Sequence, residues 1–539
     1  MPISSVVCSS LSFAWPDETP VFEDLSFAVP GGRTGLVAPN GAGKSTLLKV
    51  VAGALRPTSG SVTVNGVLGY LPQHLPFAQQ QTVAQVLGVD RIIAAVQAIE
   101  SGDAAEEHFT TIGTDWDVEE RSRAELDRLG LADVALDRRL GTLSGGQVVS
   151  LGLAAELLRR PDVLLLDEPT NNLDGEARER LTGVLRSWRG TLLLVSHDRT
   201  LLEEMDRIAA LDHGEIRWYG GTFSDYQRAV ESEQEVAERQ VRQAEQDVKR
   251  QKREQQQARE RAARRASNAS RNLADAGLAR IVAGNLKREA QVSAAKAQEV
   301  HASRTNDAKS RLDQASRAAR QDDHIAIELP ATRVPAGRTV FHGSRLRAGY
   351  GTKMVLDDLD LDIRGPERIA LIGSNGAGKS TLLRLIGGQQ EPLSGRTTRS
   401  EGRVAYLSQR LDLLDPERTV AENLSVFAPI LTEAERMNLL ARFLFRGARA
   451  HLPVNALSGG ELLRATLACI LFAEPAPQLL LLDEPTNNLD LISVAQLESA
   501  LIAYQGAFVV VSHDPRFLAA IKVDRRLRIA DGHLVETTG

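Results

Sequence analysis

Cysteine is almost missing: Cys8 and Cys469 are the only two in 539 residues. Two thiols cannot staple a chain of this length or fill a cysteine-ligated iron–sulfur cluster. A disulfide scaffold and such a cluster domain are excluded, and a reducing compartment fits. Long apolar runs are missing too. Stretches such as Leu479–Leu482 fall far short of the 18 or more residues of a membrane span. The N-terminus lacks a basic region followed by an apolar core, so no signal peptide is expected. Aromatic residues make up 4% of the chain, and none occurs from Gln227 to Val340. A stretch of that kind cannot build a packed globular core. The rest is ordinary for a soluble globular protein, with 42% hydrophobic and 25% charged residues. The length predicts two to four domains.

What is present is a set of motifs, each written twice in the same order. GAGKST occupies 41–46 and 376–381, LSGG 143–146 and 457–460, LLLDEPTNNLD 164–174 and 480–490, and VSHD 195–198 and 511–514. Strings this long in register are a tandem duplication of one domain.

The chemistry these motifs carry is that of a bound nucleoside triphosphate. GAGKST follows a short apolar run and opens an apolar helical pattern, the strand–loop–helix setting of a phosphate loop. Backbone N–H groups of Asn40, Gly41, Ala42, Gly43 and Thr46, and of Asn375, Gly376, Ala377, Gly378 and Thr381, can close around phosphates. The helix N-terminus adds partial positive charge. Lys44 and Lys379 would reach the β- and γ-phosphates, and Ser45 and Ser380 would bind Mg²⁺. The second loop matches GxxxxGK[ST] from Gly373 onward, whereas the first has Ala38 where that glycine belongs. Alanine is small, so the first loop is expected to close.

Each leucine run ends in an acidic pair. Asp167 and Asp483 would hold Mg²⁺ through water, and Glu168 and Glu484 would activate the attacking water as general bases. The plain alternative for such strand-end carboxylates is helix capping. Ser144, Gly145 and Gly146, and Ser458, Gly459 and Gly460, begin predicted helices and can bind the γ-phosphate of a nucleotide held by the opposite copy. His197 and His513 would contact that phosphate or the water. Gln73 and Gln409 would reach Mg²⁺ or water. Trp15 and Tyr350 each lie 29 residues before their loop lysine and would stack on adenine, with Phe13 competing with Trp15.

Charge is unevenly spread. The formal net charge is −6, yet residues 242–320 hold 19 basic and 9 acidic side chains, a local balance of +10. A basic segment on an acidic protein suggests a polyanionic partner, and a solvated helical surface is the plain alternative. The segment is rich in Ala, Arg, Glu and Gln, which favour helix. Ala290, Ala294 and Ala297, then Ala308, Leu312, Ala315 and Ala319, step by 4 and 3, a narrow seam for close helix pairing. The pattern predicts helices over 226–266 and 287–321, with Asn268, Asn272, Gly277, Gly284 and Asn285 as turn formers between them. The expected architecture is α/β: a first P-loop domain over 1–225, an antiparallel α-helical hairpin over 226–324 and a second P-loop domain over 325–539.

Together these residues resemble the ATP-binding cassette superfamily over about four-fifths of the chain, and more narrowly the ABC-F family. The narrower resemblance rests on two cassettes in one polypeptide, EPTNNLD in both, no membrane domain and a charged helical linker. It implies a cytoplasmic ATPase that binds ATP and Mg²⁺ and works as a monomer. Its two cassettes pair head-to-tail, each phosphate loop facing the other signature. It also implies a ribosome partner: the linker would act near P-site tRNA and the peptidyl-transferase centre, in antibiotic protection or in translation itself. Arg261, Arg264, Arg265, Arg280, Lys287 and Arg288 would then contact rRNA or tRNA. The spacing from Lys44 to Ser144 is 100 residues against 79 from Lys379 to Ser458. The excess, around 90–128, resembles a short ABC-F arm, with a longer helical subdomain as the equal alternative. No C-terminal extension is expected after Gly532. The rival reading is the ATPase subunit of a transporter, for instance in drug export. It shares every phosphate-site residue but has no use for a basic hairpin between cassettes.

Overall fold

The computed structural model describes residues 6–171, 173–212, 214–275, 303–316, 329–351, 353–400, 402–487 and 489–537. Two compact units are present: Met1–Ser224 with Asp323–Gly539, and Asp225–Asp322.

The first unit holds both repeats, each built on the same two sheets. In the first repeat an antiparallel sheet runs in the order Pro20–Val29, Val6–Ala14, Ser59–Val64. The larger sheet runs Leu68–Leu71, Val163–Asp167, Thr191–Val195, Gly32–Val37, Arg207–Asp212, Glu215–Gly220. Its first five strands are parallel and the last is antiparallel. The second repeat matches it: Arg403–Leu407, Pro477–Asp483, Ala507–Val511, Arg368–Ile372, Arg525–Ala530, His533–Thr537. The leucine and valine runs explain the central positions. Val163–Asp167 and Ala507–Val511 are buried at every residue, as strands covered on both faces must be.

This topology positions the site. The strand leading into the phosphate loop, Gly32–Val37, pairs in parallel with Thr191–Val195, which pairs in parallel with Val163–Asp167. Three parallel neighbours end on one edge of the sheet, where α/β sheets bind ligands. The loop after Val37, the pair Asp167–Glu168 and the triplet Ser196–Asp198 therefore emerge side by side.

The stretch 90–128 forms three helices, Asp90–Glu100, Glu106–Ile112 and Val118–Arg128. The corresponding part of the second repeat has one, Glu433–Arg442. Phe109 and Trp116 face each other with ring centroids 6.0 Å apart, and both are exposed.

One helix runs from Phe223 to Asp275, 53 residues or roughly 80 Å, with all but its first two residues in the second unit. It outruns the expected end at 266, and Asn268 and Asn272 are helical rather than turn formers. Asparagine costs at most about 0.7 kcal/mol per residue against alanine in a helix. The flanking Ala266, Ala269 and Ala274 favour continuing it. A further helix covers 303–316. Val248, Thr305 and Ala308 are buried despite the missing aromatics. Gly277, Gly284, Asn285, Arg280, Lys287 and Arg288 lie outside the described residues, as do Ala290, Ala294, Ala297 and Ala319. Arg261 and Arg264 are exposed on the long helix, which also carries Arg265.

Candidate active sites at the phosphate loops

Both phosphate loops share one construction. Gly43 and Gly378 cap the helices Lys44–Val51 and Lys379–Gly387 with φ of +88° and +104°, a region that suits glycine. A Cβ at Gly43 would meet Val21 at 2.4 Å, and one at Gly378 would meet Val355 at 2.7 Å. The lysines fold back over their loops. Lys44 Nζ donates to the carbonyls of Ala38 at 2.8 Å and Pro39 at 3.2 Å. Lys379 Nζ does the same to Gly373 at 2.7 Å and Ser374 at 3.1 Å. The Ala38 methyl packs against the apolar core of the first repeat. At Gly373 a Cβ would lie 2.8 Å from the Ile529 carbonyl oxygen. Alanine is thus accommodated in the first loop only.

Burial lowers the pKa of both lysines, and carboxylates oppose it. These are Glu168, Asp490 and Asp167 at Lys44, and Glu484, Asp174 and Asp483 at Lys379. Asp490 belongs to the second repeat and Asp174 to the first, so each lysine senses a carboxylate from the opposite repeat. The sequence reading passed over these two aspartates. Their signal was there, since NNLD recurs in both copies.

Ser45 Oγ donates to Asp167 Oδ1 at 3.1 Å. Asp167 Oδ2 is buried with no hydrogen-bond partner among the described residues, and burial raises the pKa of this carboxyl. A hydroxyl and a carboxylate with an open oxygen fit Mg²⁺, which takes one or two carboxylates plus substrate phosphates. In the second repeat the Tyr406 hydroxyl donates to Asp483 Oδ2 at 2.9 Å.

Glu168 and Glu484 adopt φ of +49° and +46°, left-handed conformations that cost a side-chain-bearing residue about 1 kcal/mol or more. Each is pinned by its N–H, which donates to Val195 O at 2.8 Å or Val511 O at 3.0 Å. His197 Nε2 lies 3.4 Å from Glu168 Oε1, and His513 Nε2 lies 3.2 Å from Glu484 Oε1. Neither contact has hydrogen-bond geometry. The His197 N–H donates to Glu168 Oε2 at 3.3 Å. Burial raises both glutamates, Glu484 to about 7, and pushes His197 down to about 3 and His513 to about 4. Both imidazoles are neutral at physiological pH.

The signature serines are helix caps. Ser144 Oγ accepts from Gln147 N–H at 3.3 Å while Gln147 Oε1 accepts from Ser144 N–H at 2.9 Å. Ser458 and Glu461 form the same reciprocal box, as S-x-x-Q/E predicts. The two signatures lie at the opposite loops. The Asn40 N–H donates to Asp490 Oδ2 at 2.9 Å, and a Cβ on Gly459 would lie 4.0 Å from Asn40 Nδ2. A cavity of about 380 Å³ is lined by Ser144, Gly145, Leu173 and Arg178 from the first repeat. Asn375, Gly376, Gln409, Glu484, Asn487 and His513 line it from the second. Beside these contacts Arg199 pairs with Glu498 at 2.7 Å and Arg516 with Glu203 at 3.0 Å.

Gln73 and Gln409 are exposed at their strand ends. Tyr350 is exposed, its hydroxyl 3.3 Å from both Thr381 Oγ1 and Gln390 Oε1. Phe13 is buried and stacks edge-on with Trp15 at 5.2 Å. The exposed ring at this position is therefore Trp15.

A duplicated strand–loop–helix with an acidic pair and a signature helix is the arrangement of an ATP-binding cassette. The family described as ABC transporter matches residues 22–171 and 356–487. The energy-dependent translational throttle protein EttA of Escherichia coli strain K12 is 31% identical over 541 residues, 94% of this chain and 89% of that protein. The tylosin resistance ATP-binding protein TlrC of Streptomyces fradiae is 33% identical over 546 residues, 93% of each. Among solved structures, RNase-L inhibitor shares the fold with a TM-score of 0.58 at 19% identity, covering 98% of this chain and 90% of that one. The chain belongs to the ABC-F family of tandem ATP-binding cassette proteins. Among the described residues no helix is long and apolar enough to cross a membrane.

Proposed function

We propose that this protein is a cytoplasmic ABC-F ATPase that binds the ribosome in its ATP-bound, closed form. Its linker then acts near P-site tRNA and the peptidyl-transferase centre, either protecting against antibiotics or modulating translation. The observation that carries this reading is similarity along nearly the whole chain to one relative named for translational throttling and another named for tylosin resistance.

In this reading ATP binds between each phosphate loop and the opposite signature, in a monomer whose own cassettes pair. Lys44 and Lys379 hold the β- and γ-phosphates. Ser45 with Asp167, and Ser380 with Asp483, hold Mg²⁺, which supplies charge neutralisation at the phosphates. Gln73 and Gln409 approach that ion or its water, and Trp15 and Tyr350 carry the adenine. Glu168 and Glu484 take a proton from the attacking water. His197 and His513, kept neutral by burial, orient it.

The test is the Glu168→Gln/Glu484→Gln variant. It should retain ATP binding, lose turnover by about 10²-fold or more, and co-sediment with ribosomes when ATP is present. Sedimentation with membranes instead would return the chain to the transporter reading. Growth of a sensitive host with and without a macrolide separates protection from general translation.

A further inference from the structure

The two places where the repeats meet at a phosphate loop differ in charges that the duplication does not reproduce, and the cavity at the second loop holds an arginine from the first repeat. Arg178 stands four residues after Asp174, in the first turn of the helix Gly175–Arg186. Four residues after Asp490 stands Val494, a buried apolar side chain. Arg178 is held from its own side: Nε donates to the Leu173 carbonyl at 3.3 Å and Nη1 to Asp198 Oδ2 at 3.2 Å. Its Nη2 has no hydrogen-bond partner among the described residues. The side chain is 18% exposed and lines the cavity that contains Ser144, Gly376, Glu484 and His513. Four groups otherwise act on Glu484: Lys379, Asp483, His513 and Arg178. Arg178 is the only one of them that belongs to the first repeat.

A second difference has the same sign. The signature facing this cavity is capped by neutral Gln147, whereas the signature facing the first loop is capped by acidic Glu461, itself paired with Arg449 at 2.6 Å. On the signature helix of the second repeat Arg464 donates to Gln496 at 3.3 Å and lies over the Phe445 ring, with its buried Nε left without a hydrogen-bond partner among the described residues.

We propose that Arg178 is a cation supplied by the first cassette to the nucleoside triphosphate bound at the second, contacting its γ-phosphoryl oxygens, and that the two sites are therefore unequal. This rests on the reading of both loops as hydrolytic sites. As water adds to the γ-phosphorus and the bond to the ADP oxygen breaks, charge shifts onto phosphate oxygens and the water proton goes to Glu484. A guanidinium held across an interface stabilises that charge in the way known for phosphoryl transfer. Because Asp198 neutralises part of it, the contribution sits below the largest trans-arginine effects.

The experiment isolates each site. In a Glu168→Gln background steady-state turnover reports the second site, and in a Glu484→Gln background it reports the first. Arg178→Ala should lower second-site kcat by about tenfold or more, with KM for ATP changed by less than about threefold, and Arg178→Lys should recover part of the loss. The first-site rate should move by less than about twofold. Should Arg178→Ala fail to fold, Arg178→Gln, which keeps the bond to Leu173, decides in its place. Equal losses in both backgrounds mark a structural role and overturn the proposal, as does an unchanged second-site kcat. Near-wild-type turnover in the Glu168→Gln/Glu484→Gln double variant defeats the general-base reading instead. In that case Lys44→Ala and Lys379→Ala isolate the sites, and the same criteria apply to Arg178.

Discussion

Glu168 and Glu484 each sit in a left-handed conformation just after a largely buried strand, where burial holds the carboxyl protonated to higher pH than usual. The consequence for stability follows from linkage. For Glu484 the folded-state pKa, about 7, exceeds the ordinary 4.5. Its contribution is therefore intact below about pH 4.5 and is lost as pH rises through 7. Removing the ionisable group abolishes that loss. Glu484→Gln should raise thermal stability at pH 8 relative to wild type by about 1–3 kcal/mol, with little gain at pH 5, as read by melting at the two pH values. Ala38 makes the opposite point about a local departure. Its methyl is absorbed by the core, so Ala38→Gly should change nucleotide affinity by less than about 1 kcal/mol in titration calorimetry. A gain of several kcal/mol would mean that the first loop is impaired by its alanine.

Among the elements, the helix that follows NNLD in the second repeat contacts the first repeat at two points. Asp490 caps the helix Leu491–Ala503 through Ser493 N–H at 2.8 Å and binds Asn40 across the interface. About two turns further on, Glu498 meets Arg199. Both side chains are nearly buried, and burial raises the Glu498 pKa from its ordinary value in spite of Arg199. Desolvation therefore outweighs attraction, the usual balance for such pairs. Arg199→Met alone strands a buried carboxylate and should cost about 3 kcal/mol. Arg199→Met/Glu498→Leu should recover most of that loss. A double variant no more stable than the single one would show that the pair itself holds the repeats together.

At the scale of the whole molecule, an acidic pair of cassettes carries a basic helical unit. If that unit meets ribosomal RNA or tRNA, binding must weaken with salt, because every neutralised phosphate releases counterions. Replacing Arg261, Arg264 and Arg265 by alanine should lower ribosome affinity and flatten the slope of log affinity against log salt by roughly 2 units. ATPase without ribosomes should persist. Sedimentation over a salt series measures the first, and phosphate release the second. An unchanged slope would move the contact elsewhere.

Much of the candidate site's layout was legible in the sequence because phosphate chemistry demands short, contiguous motifs. The glycine loop must be continuous to wrap phosphates, the acidic pair must follow a buried strand, and a capped helix start is written in four residues. Repetition made each motif more secure and exposed Ala38 as a departure. The linker's helical character was legible from composition, while its reach through Asn268 and Asn272 depended on small propensity differences that single residues do not settle. Only the tertiary structure decided what crosses between the repeats. Asn40 and Asp490 are 450 residues apart in the chain, and Arg178 matches no motif and has no counterpart in the second copy, where Val494 stands. Their roles arise where the phosphate loop of one repeat meets the helix starts of the other, and contacts of that kind leave no periodicity, spacing or composition to read.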